Sequence, residues 1–349
     1  MIVHQILSGA GPVDAVTTQA VIYRDLFGKW GFGGEDYAVS IDPRIAGRVR
    51  PFKSFDPAPD DVLVIHYSAY APKLRGVLEL ANPKLLVYHN VTPARWFWDY
   101  EPTIAVHCSL GRRQLPEFAK GVDLAAGVSR FNAGELAEAG AQRTAVIPIL
   151  FTRPDAAAVD RPDGPPTILF VGRLTPHKRQ DELIGAFSLY RRHRQADARL
   201  VLVGEPLTPA YAASLVGLAD RLAPGAVTFR SGISREELWG CYQEASVFVC
   251  LSEHEGFCIP LLEAFHFDVP VIARPSGGVV EVAGDAAIVT GDRDLALTAE
   301  LIHLVVSDSE LREELARRGR ARLGDYAVDE VAVKLRAAID EVTRAHADA

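Results

Sequence analysis

The sequence predicts an α/β protein of two doubly wound domains. Three observations carry that expectation. Apolar, strand-like runs alternate with helix-forming segments along nearly all 349 residues, and such alternation implies parallel sheets covered by helices on both faces. The length is too great for one ordinary core and suits two domains. Between the halves lies FTRPDAAAVDRPDGPPT, polar, proline-rich and without periodicity, which reads as a linker over residues 151–166.

In the first domain, residues 1–150, MIVHQIL is a strand and TTQAVIYRDLFGKW the helix after it. DVLVIHY, KLLVYHN, DLAAGVS and TAVIPIL follow as further short apolar runs. In the second domain, residues 167–325, the strands are TILFVGR, ARLVLVG, AVTFR, SVFVCLS and VPVIA. QDELIGAFSLYRRH, PAYAASLVGLADRL, REELWGCYQEA and PLLEAFHF are the helices between them. Leu183, Ile184, Phe187 and Tyr190 form the buried stripe of the first of these. Ser234 and Glu237 fit a capping box that opens the helix carrying Trp239. The C-terminal segment, 326–349, is a last helix that packs back on the first domain, with Val331, Val333, Leu335, Ala338 and Ile339 as its packing face. A two-lobed molecule of this class holds its ligand in the cleft across which the domains face.

Composition narrows the function. A net charge of −8 argues against a nucleic-acid binder, which needs cations to neutralise phosphates. Residues 1–150 carry 15 basic and 15 acidic residues, so the whole excess falls on the remainder. The N-terminus lacks a basic n-region and an apolar core, and no run approaches a membrane span. The four cysteines, Cys108, Cys241, Cys250 and Cys258, show no Cys-x-x-Cys spacing, which points away from a metal site or disulfide frame. The expectation is a cytoplasmic protein without a cofactor or metal.

Two segments carry chemistry. TILFVGRLTPHKRQDELI, 167–184, puts Gly172, Arg173 and Lys178 between a strand and a helix N-terminus. Two fixed cations there suit a diphosphate, although solvated loop charges would look the same. The loop has neither the dinucleotide glycine fingerprint nor a P-loop, and GFGG at 31–34 is a turn. In SEHEGFCIPLLEAF, 252–265, Glu255 and Glu263 stand eight positions apart. Between them a turn presents the amides of Gly256, Phe257, Cys258 and Ile259 at a helix that Pro260 helps to open. A carboxylate repels phosphate, so Glu255 and Glu263 suit neutral hydroxyls instead. A ligand with hydroxyls at both ends and a diphosphate in the middle fits, and nucleotide sugars have that shape.

EGFCIPLLE, together with VGRLTPHK and SGGVVEVAGDAAIV, resembles glycosyltransferase family 4, the retaining enzymes of GT-B fold. YHNVTPARWFWDYEP, with DLAAGVSRFNAGEL and TAVIPIL, is similar to bacterial members that build cell-surface polysaccharides, mannosyltransferases among them. The resemblance implies that Arg173 and Lys178 hold the donor diphosphate, Glu255 the donor-sugar hydroxyls and Glu263 the ribose diol. It puts His89 against the donor sugar near its anomeric carbon, and the loop from Gly9 to Asp14, with Gly11, near the donor phosphate and acceptor. Asp14, Asn90 and Trp96 are the acceptor-side candidates. Cys258 stands where glycine is common in the family, and Val280 where proline is common.

The implied reaction is transfer of a hexose, with GDP-mannose as first donor, to a hydroxyl of a glycan or lipid-linked glycan. It proceeds by front-face attack with retention and without a metal. Peripheral contact at the inner membrane face remains open, as do the alternatives of a GT-B sugar-nucleotide epimerase and a non-catalytic nucleotide-sugar binder.

Overall fold

A computed structural model describes residues 1–12, 14–159 and 164–347. Part of the linker reading (160–163), one residue of the loop 9–14 (Val13) and the last two of the C-terminal segment lie outside the described residues. The chain forms two compact units. The first comprises Met1–Ala94, Thr103–Leu150 and the C-terminal stretch from Tyr326; the second comprises Arg95–Pro102 and Phe151–Asp325.

In the first unit the strands are β1 (Val3–Ala10), β2 (Asp36–Ile41), β3 (Arg50–Pro51), β4 (Val62–Tyr67), β5 (Lys84–Tyr88), β6 (Leu124–Gly127) and β7 (Thr144–Val146). All pair in parallel, in the order β3-β2-β1-β4-β5-β6-β7. Helices α1 (Ala15–Lys29), α2 (Pro102–Lys120) and α3 (Arg130–Glu138) connect them. β4 and β5 are buried along their whole length, as strands covered on both faces must be.

The second unit holds β8 (Thr167–Val171), α4 (Gln180–His193), β9 (Arg199–Val203), α5 (Pro209–Leu222), β10 (Val227–Arg230) and α6 (Arg235–Glu244). There follow β11 (Val247–Cys250), α7 (Ile259–His266), β12 (Val271–Ala273), α8 (Val279–Ala283), β13 (Ala287–Val289), α9 (Leu295–Ser307) and α10 (Ser309–Arg322). Its parallel sheet runs β10-β9-β8-β11-β12-β13. The stripe on α4 is buried throughout, Leu183, Ile184, Phe187 and Tyr190 each at 1% exposure or less. The Ser234–Glu237 capping box is formed in both directions.

The last helix, α11 (Val328–Ala347), packs on β4 and β5 of the first unit. Val331, Leu335, Ala338 and Ile339 are buried there, but Val333 is 69% exposed, which corrects the expected packing face. It falls two residues from both Val331 and Leu335, and 200° of helical turn puts it on the opposite side.

The sequence-based boundary also shifts at one place. Arg95–Pro102 belongs with the second unit because Phe97 is buried with its ring edge-on to His177, 5.8 Å between centroids, and Tyr100 meets Tyr211 at 5.2 Å. The strand readings omit β2, β3 and β13. Two- and three-residue strands leave no period to detect, and β2 opens on a buried aspartate, Asp36. Among the described residues no helix is long and apolar enough to cross a membrane.

Candidate functional site

In doubly wound sheets ligands bind beyond the carboxyl ends of the strands where the strand order reverses. In the second unit that place lies between β8 and β11, which pair in parallel with Val247 opposite Ile168 and Phe248 opposite Leu169. Both quoted motifs leave the sheet at this edge. β8 runs into Gly172, Arg173 and a 3-10 turn, Pro176–Lys178, that ends in α4. β11 runs into the turn that carries Glu255 and opens α7.

The two loops meet in one ion pair. Lys178 Nζ lies 2.6 Å from Glu255 Oε1, with the side chains 18% and 8% exposed. Burial disfavours the Lys178 charge, yet Glu255 and the nearby Cys258 and Cys250 outweigh it and hold the ammonium above the ordinary lysine range. Arg173 is different in kind: it is exposed, and among the described residues it has no ion-pair partner. The sequence reading treats the two cations alike, but only Arg173 offers an uncommitted charge.

Cys250 and Cys258 flank Glu255, their sulfurs 4.0 Å apart. One ligand atom from each of these three residues lies within 4.8 Å of the others, a grouping that the cysteine spacing hides. The Lys178 ammonium is already bound to the carboxylate of that group. Cys258 caps α7 in the left-handed region, φ 83° and ψ 68°, where glycine is the unstrained choice. The neighbouring loop holds this turn in place: Gly278 N donates to Glu255 O at 2.9 Å.

Glu263, one turn into α7, accepts a hydrogen bond from Tyr242 Oη at 2.7 Å. Burial lifts its carboxyl above the ordinary range against the opposing pull of that bond. The first unit offers a second group of polar residues at its own reversal, between β1 and β4. Past the end of β5, His89 Nε2 lies 2.9 Å from His66 Nδ1, and the buried Nδ1 of His89 has no hydrogen-bond partner among the described residues. Asp14 N-caps α1, its Oδ2 accepting from Thr17 N at 2.9 Å and Thr17 Oγ1 at 2.8 Å. Gly11 N donates to the same Thr17 hydroxyl.

Asn90 and Trp96 have structural surroundings. Asn90 Nδ2 donates to Asn132 Oδ1 and Glu135 Oε2, both at 2.8 Å, in a cluster completed by Arg112 and Tyr88. Trp96 stacks under the Arg95 guanidinium, and its buried indole N–H has no partner among the described residues. Sequence reasoning missed His66, which binds His89, and Gln5, which holds His66 from behind. The signal was present: IHY and YHN end two apolar runs that pair side by side, Tyr67 opposite Tyr88.

Burial makes three histidines sensitive to acid. His89 is pulled down to about 4, by burial above all; His66 is held well below 6.5 by burial and then by His89, and His177 by burial and then by Lys178. In the unfolded chain these imidazoles take up protons near pH 6.5, while in the fold they stay neutral. The unfolded state then binds more protons, so stability falls as pH drops from about 6.5 towards 4. The slope reaches about 1.4 kcal/mol per pH unit for each histidine. Glu263, raised by burial, works the other way over part of that range. Denaturant midpoints across this window check the expectation, and a flat or rising profile towards acid contradicts it.

The fold these sheets define is GT-B. Sucrose-phosphate synthase from Thermosynechococcus elongatus superposes with a TM-score of 0.76 over 99% of this chain and 100% of that one, at 17% identity. Anabaena HepE in complex with UDP-glucose superposes with a TM-score of 0.72 over the whole of both chains, at 15% identity. Residues 152–322, most of the second unit, match the family model "Glycosyl transferases group 1". A GDP-mannose-dependent alpha-mannosyltransferase of Mycobacterium tuberculosis is 38% identical over 117 residues, 34% of this chain and 27% of the relative. The chain spans under half the length of the first curated relatives it matches, from 27% to 44%.

Proposed function

We propose that the protein is a retaining glycosyltransferase. It moves a hexose from a nucleotide-diphosphate sugar, GDP-mannose in the first instance, to a hydroxyl of a glycan or lipid-linked glycan. The observation that carries the reading is the Lys178–Glu255 pair at the strand-order reversal of the unit that matches the family. The printed name of one relative supports mannose and GDP, and transferase relatives favour transfer over epimerisation or mere binding.

In this reading Arg173 and Lys178 stabilise the departing diphosphate, joined by Gly172 and the amides of Gly256, Phe257, Cys258 and Ile259 at the start of α7. Glu255 accepts from donor-sugar hydroxyls with its free oxygen, and Glu263 Oε1 from the ribose diol. Gly11 and His89 serve the donor from the first unit; Asp14, Asn90 and Trp96 serve the acceptor. The bond from the anomeric carbon to the leaving phosphate oxygen breaks as the acceptor oxygen attacks from the same face. The acceptor proton passes to that phosphate oxygen.

A double displacement would need a carboxylate nucleophile, and Glu255 is committed to Lys178. The two cationic side chains supply the charge that a metal would otherwise supply, so the reaction is metal-independent. The protein works in the cytoplasm, and the exposed Trp98 and Tyr100, 50% and 36%, support a peripheral contact with membrane or acceptor.

A panel of nucleotide sugars tests the proposal. GDP-mannose at about 100 times its Kd should stabilise the protein by about 2.7 kcal/mol, with slow release of GDP in the absence of acceptor. Neither stabilisation nor nucleotide release with any donor of the panel would end the transferase reading.

A further inference from the structure

The first unit contains a chain of hydrogen bonds whose proton positions are fixed from one end. Gln5 Nε2 donates both its hydrogens, to Ala20 O at 2.7 Å and to Asp36 Oδ1 at 2.8 Å. Neither partner can donate, so the amide has one orientation and Gln5 Oε1 faces His66. Arg24 holds Asp36 in turn through Nε and a terminal nitrogen, at 3.0 and 2.6 Å. His66 Nε2 lies 2.9 Å from Gln5 Oε1, an acceptor only, so that nitrogen carries the proton.

A neutral His66 then has a bare Nδ1, which accepts from His89 Nε2 at 2.9 Å. The two rings are inclined by only 24° with centroids 5.2 Å apart, so the N–H···N contact runs nearly in both ring planes. At the far end, His89 Nδ1 is left as a lone pair, buried and without a hydrogen-bond partner among the described residues. A buried acceptor of this kind ordinarily has a partner. Asp14, whose charge acts on His89, spends its Oδ2 on the backbone N–H and hydroxyl of Thr17.

We propose that Gln5 and His66 are positioning residues that lock His89 as its Nε2–H tautomer, so that His89 Nδ1 accepts a hydrogen bond from a sugar hydroxyl. The last step rests on the transferase reading above; the tautomer does not. His89 is therefore an acceptor of hydroxyl protons and not a general acid at neutral pH. Burial, which pulls both imidazoles well down, keeps the chain neutral as it requires. The chain also explains a glutamine at 0% exposure in the middle of β1: it sets a proton position two strands away, since β4 lies between β1 and β5.

Nitrogen-15 NMR of the histidine side chains tests the first half on the free protein, with no substrate. His89 should show a protonated Nε2 and a bare Nδ1 at pH 7, and the reverse pattern overturns the proposal. In His66→Phe, whose ring can keep the place beside Tyr23, His89 loses its acceptor and should populate the Nδ1–H form. Unchanged tautomer signals there also overturn it. Gln5→Leu is a second route to the same shift, should His66→Phe fail to fold.

Kinetics with GDP-mannose and its deoxy and fluoro analogues test the second half. The wild-type enzyme should lose about 10-fold or more in kcat/KM for one deoxy sugar and equally for its fluoro counterpart, because fluorine cannot donate. His66→Phe should lose a similar factor with GDP-mannose and little more with that deoxy analogue. Full additivity of the two losses overturns the hydroxyl assignment. A protein with the expected tautomer that turns over no nucleotide sugar instead refutes the transferase reading and leaves the proton positions standing.

Discussion

Lys178→Met and Glu255→Gln are each expected to lower turnover by about 10²–10³-fold, the scale of losing one preorganised charge or donor. Each should also cost about 3 kcal/mol of stability. Removing one member of a buried ion pair leaves the other uncompensated, which costs about 3–5 kcal/mol, and the 18% exposure of Lys178 favours the lower end. The two losses separate in the double variant. Lys178→Met with Glu255→Gln buries no lone charge, so it should regain most of the stability while staying as inactive as the worse single variant. Urea midpoints and initial rates on the four proteins decide it. A double variant no more stable than the singles would mean that the pair is solvated, and the electrostatic account of the site would fail with it.

That expectation differs from what the sequence alone supports. VGRLTPHK and EGFCIPLLE identify two loops and the charges on them, because a loop between a strand and a helix leaves a legible mark. They do not show that Lys178 and Glu255, 77 positions apart, bind each other. The pairing follows from β8 and β11 being neighbours, and strand order is a property of the whole sheet, not of any window. The approach of Cys250 to Cys258 is hidden for another reason: the turn between them, not their spacing of eight, brings the sulfurs together. The alternation that predicts the parallel sheets survives in long buried strands such as β4 and is lost in β3 and β13, which are too short to repeat. His89 and His66 are visible as polar residues near the ends of apolar runs, whereas Gln5 sits inside one and acquires meaning only through the partners that fix its amide.

Two glycine substitutions should separate the needs of the fold from those of the ligand. A Cβ added at Gly278 would stand 2.4 Å from Gly256 O and 3.1 Å from Phe257 Cα. Both are backbone atoms, so no side chain can swing aside. The backbone at Gly278, φ −74° and ψ −10°, suits any residue, and space alone demands glycine. Gly278→Ala should therefore push the 255–257 turn outward at about 1–3 kcal/mol. Turnover should fall about 10²-fold, the effect of moving a reacting group by an ångström. At Gly11 an added Cβ meets nothing within 4 Å, so Gly11→Ala should leave stability within about 0.5 kcal/mol. If a donor phosphate lies against that backbone as proposed, the methyl occupies its place and KM for the donor rises while the melting midpoint stays put. A Gly11→Ala enzyme with wild-type KM would remove Gly11 from the donor site. A Gly278→Ala enzyme with wild-type turnover would show that the 255–257 turn is not part of the reacting geometry, since the close approach leaves that turn no way to stay where it is.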